Sequence, residues 1–155
     1  MAEILKPANQ TEVDAYIAAY HGKICWQAVK NFGSMLCLDF GQPLAIQGRS
    51  GPITKGERRV VVYNCFWELS SPPVFVSSDD DLSRFESQYQ SLFLGSSLNR
   101  LVFSDYYLVF QFSNGTTLKA DASNRYKTSS SLLELDNLWG SYLTLLPDGD
   151  LVIGT

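Results

Sequence analysis

YLVFQFSNGTTLKA, residues 107–120, alternates apolar and polar side chains up to an Asn-Gly pair and then alternates again. Alternation with period two is the signature of a half-buried strand, and Asn-Gly between two such runs is the strongest short-range signal for a β-hairpin. Two other stretches repeat the phrase: MLCLDFGQPLAI at 35–46 and YLTLLPDGDLVI at 142–153, with turn glycines at 41, 115 and 149. Three hairpin phrases in one short chain point to antiparallel sheet.

A longer regularity encloses the short one. Residues 11–20, TEVDAYIAAY, place Val13, Tyr16, Ile17 and Tyr20 on one helical stripe, with Thr11 as the cap and Gly22 as the stop. Residues 81–93 place Leu82, Phe85, Tyr89 and Leu92 on another stripe, stopped by Gly95. Each helix is followed by a strand, a turn, a hairpin, a loop and a Trp-bearing segment ending at Trp67 or Trp139. Gly22 and Gly41 stand 19 residues apart, Gly95 and Gly115 stand 20 apart, and Tyr20 aligns with Phe93. The reading is one α+β domain over 1–155, with two helices and about ten short antiparallel strands. It implies an internal duplication with pseudo-repeats at 11–70 and 79–155, each a helix plus a small sheet. Residues 47–59 read as a long glycine-rich loop, residues 60–67 as one central strand, and the proline-bearing stretch 70–78 as an irregular connector.

Composition bounds the rest. A chain of 155 residues can bury a substantial core without staples. Aromatic residues make up 13% and suit pleated, half-buried surfaces. The 12 basic and 16 acidic side chains leave a net charge of −4, which argues against a nucleic-acid binder. No apolar run is long enough to span a membrane. The start lacks a secretory pattern, so the expected compartment is the cytoplasm. Cys25, Cys37 and Cys65 have no CxxC spacing and read as reduced, buried thiols.

Chemistry-bearing constellations are scarce. His21 is the one histidine, and Gly22 separates it from Cys25, so neither a hydrolase triad nor a Cys–His pair is expected. One His and three scattered Cys supply no zinc site, and no metal or cofactor is expected. Gly51 to Gly56 has the spacing of a phosphate loop, but Glu57 and Arg58 replace the required Lys and Ser/Thr, and a strand follows instead of a helix. What remains there is a basic concentration: Arg49, Lys55, Arg58 and Arg59 against Glu57, a candidate docking site for one protein partner. Asp39 is expected on the polar face, and Glu68 between Trp67 and Leu69 is expected to be partly buried. Trp26, Tyr63, Trp67 and Trp139 form a candidate aromatic pocket between the halves.

GSMLCLDFGQPL (33–44) and LVFQFSNGTTLKA (108–120) resemble segments of small bacterial proteins of unknown function, among them immunity-like partners of secreted toxins. That resemblance implies a cytosolic, non-enzymatic protein that binds one macromolecule, and it carries no functional residue with it. The expected function is protein binding; the alternative is small-molecule binding in the aromatic pocket. Exposed edge strands leave the oligomeric state open.

Overall fold

The computed structural model describes residues 5–7, 9–30, 35–62, 65–71, 74–79, 92–104, 107–125, 133–137, 142–145 and 151–154. The described residues form β1 (Leu5–Pro7), α1 (Gln10–Ile17), β2 (Cys25–Lys30), β3 (Leu36–Gly48), β4 (Gly51–Val62), β5 (Cys65–Ser71) and β6 (Val74–Ser77). After these come β7 (Leu98–Ser104), β8 (Tyr107–Phe112), β9 (Thr117–Arg125), β10 (Leu133–Asn137), β11 (Tyr142–Leu145) and β12 (Leu151–Gly154). The strands build a seven-stranded sheet, ordered β1-β12-β11-β10-β4-β3-β2, and a five-stranded sheet, ordered β6-β5-β9-β8-β7. Every ladder is antiparallel.

The two halves interleave. β2-β3-β4 is extended by β10-β11, and β9-β8-β7 is extended by β5-β6. Their rungs correspond. Cys25 pairs with Phe40 and, across a bulge, Gln27 with Asp39. Leu98 pairs with Phe112 and, across a bulge at the same place, Arg100 with Gln111. Glu68–Lys119 in one sheet matches Glu134–Val61 in the other. An isolated bridge joins Ile24 to Ser97, which hold equivalent positions just before β2 and β7. The expectation that each half carries its own small sheet is therefore corrected: each sheet takes strands from both halves. The proposed match of Trp67 with Trp139 is corrected too, because the rung held by Trp67 opposite Ala120 belongs to Leu133 opposite Val62.

One buried cluster fills the space shared by both sheets and α1. At its centre Phe40 and Phe112 stack, centroids 6.4 Å apart and planes 9° apart. Tyr20 meets Phe40 edge-on at 5.7 Å, and its equivalent Phe93 meets Phe112 edge-on at 4.8 Å. Edge-to-face and offset contacts suit the ring quadrupole, so four rings lock in one geometry.

Local chemistry explains where the elements start and stop. Asn9, not Thr11, caps α1: its side chain accepts from Glu12 N at 2.9 Å, and Glu12 Oε1 accepts from Asn9 N at 3.4 Å. A 3-10 turn, Ala18–Tyr20, follows, and Gly22 at φ 75° ends it. Tyr16 and Tyr20 of this segment donate to the carbonyls of Leu135 and Arg59 in the seven-stranded sheet. Its other side guards the edge of the five-stranded sheet. Gln10 Nε2 donates to Leu101 O at 2.8 Å, Phe103 N donates to Gln10 Oε1 at 3.4 Å, and His21 Nε2 donates to Asn99 O at 2.8 Å. An edge strand with its backbone groups occupied cannot recruit a foreign strand there.

α1 is the one α-helix among the described residues. Positions 81–91 of the expected second helix lie outside them; Leu92 and Phe93 have helical backbone. The expected strand 60–67 is two strands, because the chain leaves the seven-stranded sheet after Val62 and enters the five-stranded one at Cys65. Val60, Val62 and Trp67 are all buried, so the apolar run persists across the change of sheet. The stretch 70–78 is not irregular either: β5 and β6 pair from Glu68–Ser77 to Ser71–Val74. Its prolines, 72 and 73, fall between the strands and outside the described residues.

Phe112→Ala removes the ring common to both central contacts, and a stability loss of about 3–5 kcal/mol is expected in urea unfolding. A loss under about 1 kcal/mol would mean that the stack contributes little.

Candidate functional site

Residues 47–59, read as a loop, are two strands joined by a turn at Arg49-Ser50. β3 and β4 stay paired from Leu36–Val62 out to Gly48–Gly51. β2 accompanies β3 only as far as Phe40, and β10 accompanies β4 only as far as Arg58. Between them the hairpin leaves the sheet as a two-stranded arm, 41–57. The second half closes the equivalent connection, between Phe112 and Thr117, with Ser113-Asn114-Gly115-Thr116. The arm is thus a departure from the rung-by-rung correspondence of the two halves.

Its root is built with care. A register shift separates the Phe40–Arg58 rung from the Pro43–Gly56 rung. Gly41 sits at φ 77°, and a Cβ there would fall 2.2 Å from Glu57 Oε1. A Cβ on Gly56 would fall 2.6 Å from Phe40 O, so neither glycine tolerates a side chain. The Glu57 carboxylate accepts from Lys23 Nζ at 2.9 Å and from Gln42 N at 3.1 Å. The lysine first, and the backbone N–H second, hold its pKa below the ordinary carboxylate value. That contribution is present above the ordinary Glu range and is lost as pH falls through the lowered value.

Asp39 is the other anchor. It lies on the outer face, as alternation requires, yet is only 1% exposed. Its Oδ1 accepts from Arg59 Nε at 2.8 Å and Gly56 N at 2.9 Å, and its Oδ2 accepts from Arg59 Nη2 at 3.2 Å. A buried carboxylate with three donors is satisfied, and the donors tie β3 to β4 where the arm departs.

The four basic candidates therefore differ in role. Arg49 is exposed at the turn, Lys55 is half-buried opposite Leu44, and Arg58 stands opposite Phe40. Arg59 belongs to the root through Asp39. Arg58 Nε and Trp26 Nε1 are both shielded from solvent without a hydrogen-bond partner among the described residues. Gly41 was expected to turn the chain before a return strand at 44–46, but β3 runs on through it, and Leu44, Ile46 and Ile53 share one face of the arm, with Ile53 46% exposed. Their alternation was the available signal, and the flanking glycines hid it.

The aromatic candidates separate. Trp67 is closed in the shared core, Trp26 stands in the β2 bulge of the other sheet, and Tyr63 and Trp139 lie outside the described residues. Neither Trp26 nor Trp67 lines either described cavity. A shallow one of about 110 Å³ is bounded by Phe66, Glu68, Tyr107, Lys119 and Asp121. Another, of about 220 Å³, lies between α1 and β7, bounded by Asp14, Ile17, His21, Asn99 and Arg100. Glu68 is exposed on the outer face of the five-stranded sheet, contrary to the expected partial burial. No group of three or more His, Cys, Asp or Glu side chains suited to a metal occurs among the described residues. No helix there is long and apolar enough to cross a membrane.

His21 and Cys25 do not form a pair. The histidine ring is engaged by Asn99 O, and Cys25 Sγ donates to Gln27 O at 3.5 Å. Burial pushes the Cys25 thiol up to about 12 and the Cys37 thiol up to about 11. Comparison with protein-family models and with curated proteins gives no match.

Two outcomes follow. Asp39→Ala takes the buried carboxylate away from Arg59 and from the Gly56 N–H, costing about 3 kcal/mol in urea unfolding. That is the low end for a broken buried pair, because Arg59 keeps 25% of its side chain exposed; a neutral result would contradict the anchoring role. Cys25 and Cys37 should resist iodoacetamide at pH 8 in the folded protein and react in urea, read residue by residue from peptide masses. Labelling of either at the rate of a free thiol would contradict their burial.

Proposed function

We propose that this chain is a non-enzymatic, cytosolic bacterial protein-binding module of the immunity-like type, and that the β3–β4 arm is its binding element. The observation that carries the reading is the contrast between residues 41–58 and residues 113–116: the same connection is long and projecting in one half and tight in the other. The connection at 113–116 joins its two strands without the long form. The projecting residues 41–57 carry Arg49 and Lys55 against Glu57 in a chain of net −4. The partner expected for such an arm is an acidic protein surface, attracted by charge and gripped by the Leu44/Ile46/Ile53 face. The root anchored through Asp39 and Glu57 favours binding by reducing the ordering cost on association.

We further infer that the scaffold arose by duplication of a unit of one helix, a three-stranded meander and a hairpin. The coincident bulges and the four-ring cluster support this. Small-molecule binding, the alternative, draws less support: both described cavities are smaller than the roughly 300–1,000 Å³ usual for ligand pockets.

The test replaces residues 41–58 with Ser-Asn-Gly-Thr, the connection used by the other half. The variant is expected to unfold cooperatively and to lose a partner that the intact chain captures and binds when purified. Arg49→Glu, at an exposed position, should weaken the same complex without affecting folding. An arm-less chain that keeps its partner would move the site to the acidic body and contradict the proposal.

A further inference from the structure

We propose that a second copy of this chain occupies the arm, with Ile53 and the basic tip of one arm docking on the outer face of the five-stranded sheet of the other copy. The inference rests on the arm being the binding element and names its partner. Two departures from internal symmetry carry it, and they are complementary. One half has the arm, and its sheet is closed on the outer face: Cys37 is 7% and Asp39 1% exposed. The other half lacks the arm, and its equivalent face is open. Val109 and Gln111 take the rungs equivalent to Cys37 and Asp39, half-buried and exposed respectively.

That open face has the chemistry the arm needs. Phe66, Asp121 and Tyr107 form one row across β5, β9 and β8, with Glu68 and Lys119 in the next. A cavity of about 110 Å³ lies among these side chains. Phe75, on the same face, is 56% exposed and Tyr107 is 41% exposed, in a chain that buries Tyr20, Phe40, Phe93, Phe110 and Trp67 completely. Lys119 Nζ lies 4.3 Å from the centre of the Tyr107 ring, so the cation of this patch is already engaged. Glu68, exposed beside it, supplies a carboxylate. On the arm, the Ile46–Ile53 rung supplies the apolar contact and Arg49 at the turn supplies the charge. Of 12 basic and 16 acidic side chains, two and one lie in 41–57, which leaves the body acidic. Arm and body therefore attract, while two arms repel. Phe66 and Tyr107 flank Asp121 in one row, and Phe75 adds a second exposed ring two rows away on the same face.

The experiment is sedimentation equilibrium of the full chain over a range of protein and salt concentrations. It is run on the wild type, on Ile53→Asp, on Phe75→Asp and on an equimolar mixture of the two variants. Both positions are exposed, and circular dichroism checks that each variant folds. Wild-type chains are expected to associate, with each substitution raising Kd by about tenfold or more. Added salt should weaken the association, and the mixture should recover a two-chain species, because one intact arm then meets one intact face. A wild type that stays monomeric throughout, or a mixture that does not recover association, overturns the inference. If the monomeric wild type nonetheless captures a foreign partner through its arm, the proposed function stands and this inference alone fails. If the wild type self-associates but the arm-less chain keeps its foreign partner, the proposed function fails instead.

Discussion

The Phe40–Phe112 stack is the contact on which the rest of the architecture depends. The two rings come from different sheets and equivalent positions, and each carries an edge-on neighbour from a helical segment, Tyr20 or Phe93. A ring placed there fixes the separation of the sheets and the seat of α1 together. Because Tyr20 also donates to Arg59 O, the same cluster reaches the strand from which the arm departs. Packing at the centre is thus continuous with geometry at the candidate site.

Polar groups are used at boundaries. Gln10 and His21 occupy the open backbone of β7, and Asp39 ties Arg59 to Gly56 at the arm root. Each satisfies groups that would otherwise be buried or left to recruit foreign strands. The arm is treated differently: its two strands run past β2 and β10 without a flanking strand among the described residues. Guarding one edge while extending another is hard to explain by stability alone, and this is why binding is placed at the arm.

Much of the fold was legible in the sequence, for a physical reason. Alternation and Asn-Gly chemistry are local, so β8 and β9 around Gly115 were readable, and so was the α1 stripe. The interleaving of the halves was not, because strand order is set by contacts distant in sequence. Residues 47–59 misled because three glycines and charged side chains masked a β-ladder whose register rests on its partner strand. The prolines at 72 and 73 suggested a connector, although the residues on either side of them pair as one antiparallel ladder. At the site, the basic residues were visible as a cluster, but the burial of Asp39 that separates Arg59 from Arg49 requires three dimensions. Trp67 read as a pocket wall because composition does not tell a core indole from an exposed one.

The central claim is that one shared aromatic core makes the two sheets a single cooperative unit from which the arm projects. Native-state hydrogen exchange tests it most directly, through the buried amides of β3 and β4 in one sheet and β8 and β9 in the other. The slowest amides of both sheets are expected to open at the same free energy and to respond equally to denaturant. Slowest amides that open at clearly different free energies, one sheet unfolding while the other stays closed, would contradict it.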